Sequence, residues 1–290
     1  MMVGQLRNLK REQAMSVKTY KHGYVEVLGV RTHYLEAGSG PDLVLLHSGE
    51  YGASAELSWR YNIAGLSEHF HILAPDLPGW GDSDKVYSFS ERTGFRIRHV
   101  AEFCRIMSIG SGYFIGSSFS GGLLLNAAGH PKCELPITKL ITVGGGGDLA
   151  RDPTAREVLT SYDGTPEYMR RALQALFFDE KWWTDELVAE KQESALKPGA
   201  WEAISAARLR RPGDKFVTQF PDSAPGNIKI PTLIVAGEDD QIKDTDWGER
   251  LKAQIPGSQL YTFRKAGHMS HIEHPDEFNK LAVSFLLGQG

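Results

Sequence analysis

Cysteine and long apolar runs are both scarce in this 290-residue chain. Cys104 and Cys133 are its two cysteines, too few for a disulfide framework and suited to a reducing compartment. No run of about 18 apolar residues occurs, which excludes a membrane-spanning helix. Neither sign of charge dominates. The chain has 32 Lys and Arg against 36 Asp and Glu, a net charge of −4, so no broad positive field awaits a nucleic-acid backbone. Residues 1–22 are basic but lack the apolar core of a secretion signal. They read as a solvated N-terminal tail, and the cytoplasm is the expected location.

What is present is an ordinary globular composition, 41% hydrophobic and 23% charged. A chain of about 300 residues can bury about three quarters of the surface its unfolded form exposes, so no staple is required. Short β-rich runs alternate with amphipathic ones. Residues 24–27 and 31–36 read as a hairpin around Leu28-Gly29-Val30. Continuous apolar runs at 43–46, 72–74, 113–115, 140–143 and 233–236 read as strands buried on both faces, with a last strand at 260–263. Helical patterns fall at 57–69, 90–107, 123–128, 246–254 and 275–287. This rhythm predicts the α/β class: a mostly parallel twisted sheet with helices on both faces. It breaks between Gly147 and Asp222, where helical patterns at 167–178, 185–195 and 201–211 carry many aromatics and no strand is evident. The expected organisation is a core of residues 23–146 and 223–290 with a helical cap, or lid, of 147–222. Such a cap would lie over the carboxyl ends of the strands, where ligands bind in such sheets. Most of its aromatics are expected to pack it onto the core.

The central chemical signal is Gly116-Ser117-Ser118-Phe119-Ser120-Gly121-Gly122, between an apolar strand and an apolar helix. A nucleophile elbow needs small residues two before and two after the nucleophile, so that strand and helix can approach across a strained turn. Ser118 has Gly116 and Ser120 in those places; Ser120 would have Ser118 and Gly122. The strand running directly into Gly116 favours Ser118. A serine hydroxyl is a weak nucleophile at neutral pH and needs an imidazole to take its proton and a carboxylate to hold that imidazole's tautomer. Asp240, in Gly237-Glu238-Asp239-Asp240 after one strand, and His268, in Ala266-Gly267-His268 after the last, supply them in the order serine, acid, histidine. Asp239 reads as solvated, and His271 and His274 as surface or capping residues. The three-residue spacing of these histidines has no supporting cysteine or carboxylate cluster, so no metal is expected.

The loop after strand 43–46 reads His47-Ser48-Gly49-Glu50-Tyr51-Gly52. It should supply one backbone N–H of an oxyanion hole, from Gly49, with the second from Phe119. Glu50 is unexpected beside a developing oxyanion; it either points to solvent or binds a polar substrate group. Gly144 to Gly147 lacks the Lys-Ser/Thr of a phosphate loop and reads as a tight exit from the sheet. No cofactor is implied.

With these residues in place, the chain resembles the α/β-hydrolase superfamily along nearly its whole length, including Pro75-Asp76-Leu77-Pro78-Gly79-Trp80-Gly81-Asp82-Ser83. Within it, Gly52-Ala53-Ser54 with Trp59-Arg60, residues 69–73, the elbow and residues 274–285 look most like the meta-cleavage product hydrolases. Those split carbon–carbon bonds in dienol diketo acids. The resemblance implies an α/β-hydrolase fold with a helical cap and a serine hydrolase acting on a small, largely apolar carbonyl compound. It also brings differences. Ser48 and Glu50 stand where that family carries glycines, Ser117 where it has asparagine, and Met269 where it has tryptophan. Lys191 is the nearest match to a cap arginine that grips the substrate's acid group. Glu50, Ser117, Lys191 and Met269 are therefore the candidate substrate-binding positions. A carboxylesterase or lactonase of the same fold is one alternative, and a non-catalytic ligand-binding receptor is another.

Overall fold

The computed structural model describes residues 20–89, 91–147, 153–206, 209 and 222–288. Eight strands form one sheet: β1 (Lys21–Val27), β2 (Val30–Ala37), β3 (Asp42–Leu46), β4 (His71–Pro75), β5 (Gly112–Ser117), β6 (Ile137–Val143), β7 (Thr232–Gly237) and β8 (Gln259–Phe263). Their order across the sheet is β1-β2-β4-β3-β5-β6-β7-β8. β2 runs antiparallel to β1 and β4, and every other pairing is parallel. The β1–β2 hairpin turns through Leu28 and Gly29, both at positive φ, the twist that suits a two-residue connection.

The apolar strands are buried because they have a core on each side. Along β3, Leu43 and Leu45 face one cluster while Val44 and Leu46 face the other; β7 splits Leu233 and Val235 from Ile234 and Ala236 in the same way. One face is covered by α1 (Ala55–Trp59), α2 (Ile63–Leu66) and α11 (Pro275–Leu287), through Trp59, Leu66, Phe278 and Leu286. The other is covered by α3 (Arg92–Ile106), α4 (Phe119–Ala128) and α9 (Trp247–Gln254), through Phe103, Leu124 and Leu251. The helix expected over 57–69 is two short ones. Between them the buried amide of Asn62 donates to the carbonyl of His271 and to Asn279 Oδ1, turning the chain toward α11. Of the helix expected over 90–107, residue 90 lies outside the described residues. The expected N-terminal tail lies outside them up to residue 19, and Lys21 and His22 already belong to β1.

Between β6 and β7 come α5 (Pro153–Thr160), α6 (Pro166–Leu176), α7 (Asp185–Ala195) and α8 (Ala200–Ser205). The described residues of this insertion contain no strand. Thr165 caps α6 by accepting from the Tyr168 N–H, with Pro166 in the first turn, and Thr184 caps α7 by accepting from the Leu187 N–H. Tyr162, Tyr168, Met169, Leu173 and Phe177 are buried in the same cluster as Tyr51, Trp80 and Met269 of the sheet's loops. The C-terminal part of the helix expected over 201–211, and residues 148–152 and 210–221 of the expected cap, lie outside the described residues.

β3 lies beside β4 on one side and β5 on the other, while the chain visits them in the order β3, β4, β5. The winding direction therefore reverses between β3 and β5, and the crevice at their carboxyl ends is where such sheets bind ligands. The loop 47–52 and the elbow at Ser118 both open there.

Candidate active site

Ser118 follows the last residue of β5 and caps α4 with φ 51° and ψ −112°. A serine held at positive φ stores roughly 1–3 kcal/mol of backbone strain and survives only where its surroundings enforce it. Here the Ser118 N–H donates to the Val143 carbonyl at 2.7 Å. A Cβ at Gly116 would sit 2.7 Å from Gly121 N, and one at Gly145 would sit 2.6 Å from the Ser118 carbonyl oxygen. The strand, turn and helix can meet only because those positions have no side chain.

The His268 ring lies 2.7 Å from the Ser118 hydroxyl through Nε2 and 2.7 Å from Asp240 Oδ2 through Nδ1. A carboxylate can only accept, so Nδ1 carries the proton and Nε2 is free to accept from Ser118. Asp240 Oδ1 accepts the N–H groups of Ile242 at 2.7 Å and Lys243 at 3.2 Å. Burial pushes the Asp240 carboxyl up, but the His268 ring and these N–H groups outweigh it and hold it below the usual carboxylate range. The acid is thus a carboxylate, anchored by its own loop and aimed at one ring nitrogen. The alternative nucleophile is otherwise engaged: the Ser120 hydroxyl is buried and donates to the His47 carbonyl at 2.5 Å.

Loop 47–52 is set from beneath by His47, whose Nδ1 donates to the Ser48 carbonyl at 2.6 Å while Nε2 accepts the Leu77 N–H at 2.9 Å. Burial lowers the pKa of this histidine, consistent with a neutral ring in that tautomer. Gly49 then passes over the Phe119 side chain, where a Cβ would lie 2.5 Å from Phe119 Cβ. Among the described residues, the N–H groups of Gly49 and Phe119 donate no hydrogen bond. Phe119 itself is stacked on Trp80, with ring centroids 5.7 Å apart.

The family model described as the alpha/beta hydrolase fold matches residues 42–275, from the start of β3 to the start of α11. The chain belongs to the α/β-hydrolase family. It is 29% identical over 274 residues to a 2-hydroxy-6-oxo-6-(2'-aminophenyl)hexa-2,4-dienoic acid hydrolase of Metapseudomonas resinovorans, a match covering 93% of this chain and 92% of that one. It is 27% identical over 261 residues to a 2-hydroxymuconate semialdehyde hydrolase of Pseudomonas sp. (strain CF600), covering 89% and 91% of the two. A solved meta-cleavage product hydrolase from Pseudomonas fluorescens IP01 superposes with a TM-score of 0.82 at 26% identity, over 92% of this chain and 98% of that one.

This α/β-hydrolase corrects two expectations. Glu50 neither points to solvent nor stands free for a substrate. Its carboxylate receives the Lys191 ammonium of α7 at 2.5 Å, and the two side chains are 6% and 5% exposed. Burial pushes the Glu50 carboxyl up, yet the Lys191 charge and hydrogen bond hold it below its usual range. Gly52, at φ 77°, makes the approach possible, because a Cβ there would overlap the Lys191 carbonyl. His271 is not a surface residue either. It is fully buried, 4.7 Å from the Trp59 ring and 5.7 Å from Phe278 between centroids, and burial pushes its pKa down to about 3. The short helix α10 (Ser270–Glu273) turns residue 271 inward against α1 and α11. His274, at the N-cap of α11, donates through Nε2 to the Lys265 carbonyl at 3.1 Å.

Ser117 and Met269 meet each other: the Ser117 hydroxyl donates to the Met269 sulfur at 3.7 Å, and both residues are buried. Asp239 is half-buried, with its N–H donating to the Ala266 carbonyl.

Three contributors escape a reading of the sequence. Gly144 is packed on the triad, where a Cβ would lie 2.9 Å from His268 Cε1, so the glycine run does more than leave the sheet. Lys243 reaches across to donate to the Gly146 carbonyl at 2.5 Å. Glu273 accepts three N–H groups, those of Phe178 at 2.9 Å, Asp179 at 3.0 Å and Gly267 at 2.6 Å, and so joins the insertion to the residue before His268. The GHxxxxE spacing from Gly267 to Glu273 could have indicated it, since a carboxylate one turn beyond a loop can collect that loop's free N–H groups.

One cluster has the donor set of a cation site: His33, Asp76 and Asp82, with ligand atoms within 4.8 Å of one another. The Asp76 carboxylate already accepts from the N–H groups of Ala55 and Asp82 and from His33, so it organises the turn after β4.

Proposed function

We propose that this α/β-hydrolase is a serine hydrolase that cleaves a bond beside the carbonyl of a small, largely apolar substrate, and that the bond is carbon–carbon, as the names of its relatives suggest for them. The observation carrying this reading is the continuous chain Asp240–His268–Ser118, with two 2.7 Å hydrogen bonds meeting a serine on a strained turn. As Ser118 Oγ bonds to the carbonyl carbon, its proton passes to His268 Nε2 and the imidazolium is stabilised by Asp240. The carbonyl oxygen takes up the electron pair and is held by the Gly49 and Phe119 N–H groups. Collapse of this adduct breaks the neighbouring bond. The departing carbon must leave as an enolate and takes the proton from His268. Water then attacks the acyl-enzyme with His268 as base, releasing a carboxylic acid and restoring Ser118.

On this reading residues 147–222 act as a cap that excludes water from the site. The partner is a small molecule, and the unpaired Cys104 and Cys133 support a place in the reducing cytoplasm. A second reading, an esterase or lactonase, is favoured by the Ser117–Met269 contact: both side chains face each other, and an alkoxide leaving group needs neither.

The test is labelling with a fluorophosphonate followed by mass mapping, together with turnover of a dienol diketo acid and of short aryl esters by wild type and Ser118→Ala. An adduct at Ser118 and a loss of about 10⁶ in kcat in the variant are expected. No adduct and no turnover would make the protein a ligand-binding relative instead.

A further inference from the structure

The Gly49 N–H, a proposed oxyanion donor, stands on a residue with no Cβ to limit its φ, so its direction must be fixed by its neighbours. Upstream, that N–H shares one rigid peptide plane with the Ser48 carbonyl, and His47 Nδ1 donates to the carbonyl at 2.6 Å. Downstream, the plane is anchored at Glu50. The Glu50 carbonyl accepts the Ala53 N–H at 3.1 Å and Trp80 Nε1 at 3.3 Å, both from loops at the rim of the sheet. Its carboxylate is held from the insertion, where the buried Lys191 of α7 donates to it at 2.5 Å. Two further contacts seat the same part of the insertion on this loop. A Cβ at Gly52 would lie 2.2 Å from the Lys191 carbonyl oxygen, and the hydroxyls of Tyr51 and Ser205 lie 2.9 Å apart. Moving the loop away would separate two buried charges, which is costly, so the loop stays where the pair closes. The ammonium also offsets the repulsion that the carboxylate would exert on a negative oxygen nearby.

We infer that Lys191 is a positioning residue for the oxyanion hole: through its closed ion pair with Glu50, the insertion fixes where the Gly49 N–H stands relative to that of Phe119. This rests on the serine-hydrolase reading for its meaning and deepens it. A misplacement of about 1 Å at a reacting centre can cost about 10²-fold in rate, and a tether of this kind acts on that scale. Lys191 touches no reacting atom on this account. It acts through Glu50 on the peptide that does.

The test compares wild type with Lys191→Met and with the double variant Glu50→Gln, Lys191→Met. It reads kcat and KM on p-nitrophenyl acetate, and amide hydrogen exchange of residues 47–52 by mass spectrometry, with the elbow at 116–122 as internal reference. In Lys191→Met, kcat and kcat/KM should fall together by about tenfold or more, as for an interaction made in the transition state. Exchange across 47–52 should speed up relative to the elbow. The double variant separates positioning from mere stability. With no charge left unpaired, its unfolding midpoint should return toward wild type, yet its kcat and its loop exchange should stay impaired because the tether is still missing. Wild-type kcat and wild-type loop exchange in the double variant would overturn the inference, and so would both in Lys191→Met. Should Lys191→Met alone fail to fold, the double variant carries the test. If wild type forms no fluorophosphonate adduct and turns over no ester, the hydrolase reading fails by itself, and loop exchange still decides whether Lys191 holds the loop.

Discussion

Two buried acid–base pairs border the same crevice, and they are held in different ways. Asp240 and His268 stand on loops that leave neighbouring parallel strands, β7 and β8, so the sheet fixes their separation. Glu50 and Lys191 stand on a sheet loop and on a helix of the insertion, 141 residues apart, and meet only because the insertion is seated. The first pair is held within one rigid frame. The second joins the insertion to the loop that carries Gly49. The sheet holds the first pair, and the seating of the insertion holds the second.

The largest effect expected from breaking this contrast is on the sheet side. Asp240→Asn leaves the size of the side chain but removes the acceptor that fixes the His268 tautomer, and kcat should fall about 10⁴-fold. Stability should change little by comparison, as followed by urea unfolding. The junction should behave oppositely. Lys191→Met leaves Glu50 buried and unpaired and should cost about 3–5 kcal/mol, while the double variant Glu50→Gln with Lys191→Met should recover most of that loss; urea midpoints of the two variants measure the difference. A Lys191→Met variant as stable as wild type would show that the insertion does not depend on the pair.

The smallest effect sharpens the comparison through pH. The carboxyls of Asp240 and Glu50 are both held below their ordinary values. Each therefore adds stability that is present above the unfolded value of about 4 and is lost as pH falls through the folded one. Glu273 has the opposite sign. Burial raises its pKa despite three N–H donors, so its contribution is present below the unfolded value and lost as pH rises through the folded value. Unfolding followed from pH 6 down to pH 3 should show stability falling at the acid end by up to roughly 1.4 kcal/mol per pH unit for each depressed carboxyl. Replacing both Glu50 and Lys191 should flatten that limb, and Glu273→Gln should steepen it slightly.

The triad was legible because each member follows a strand whose apolar run is plain, and parallel strands bring their carboxyl ends to one rim. Ser118 over Ser120 followed from the same logic, and the hydrogen bond of Ser120 to His47 gives it a separate employment. Glu50 stands out in the sequence as out of place, but its partner sits in another element far along the chain, and nothing in local spacing links a loop carboxylate to one lysine of α7. His271 misled for a related reason. A histidine three residues past the active one reads as surface, while burial depends on how α10 packs against Trp59 and Phe278. The helix expected over 57–69 broke for a tertiary cause as well, the amide of Asn62 reaching toward α11. Residues placed by strand order were readable, and those placed by contacts between distant helices were not.

Glu273 gathers the N–H groups of residues 178 and 179 together with that of Gly267. The insertion is thereby moored next to the histidine, in addition to the Lys191–Glu50 and Ser205–Tyr51 contacts that tie it to loop 47–52. The Met269 N–H donates to the Leu176 carbonyl, so the insertion grips the loop on both sides of His268, through Glu273 at Gly267 and directly at Met269. A shift of this end of the insertion would take hydrogen-bond partners away from the loop that carries the base, so seating the insertion and aiming the imidazole are linked.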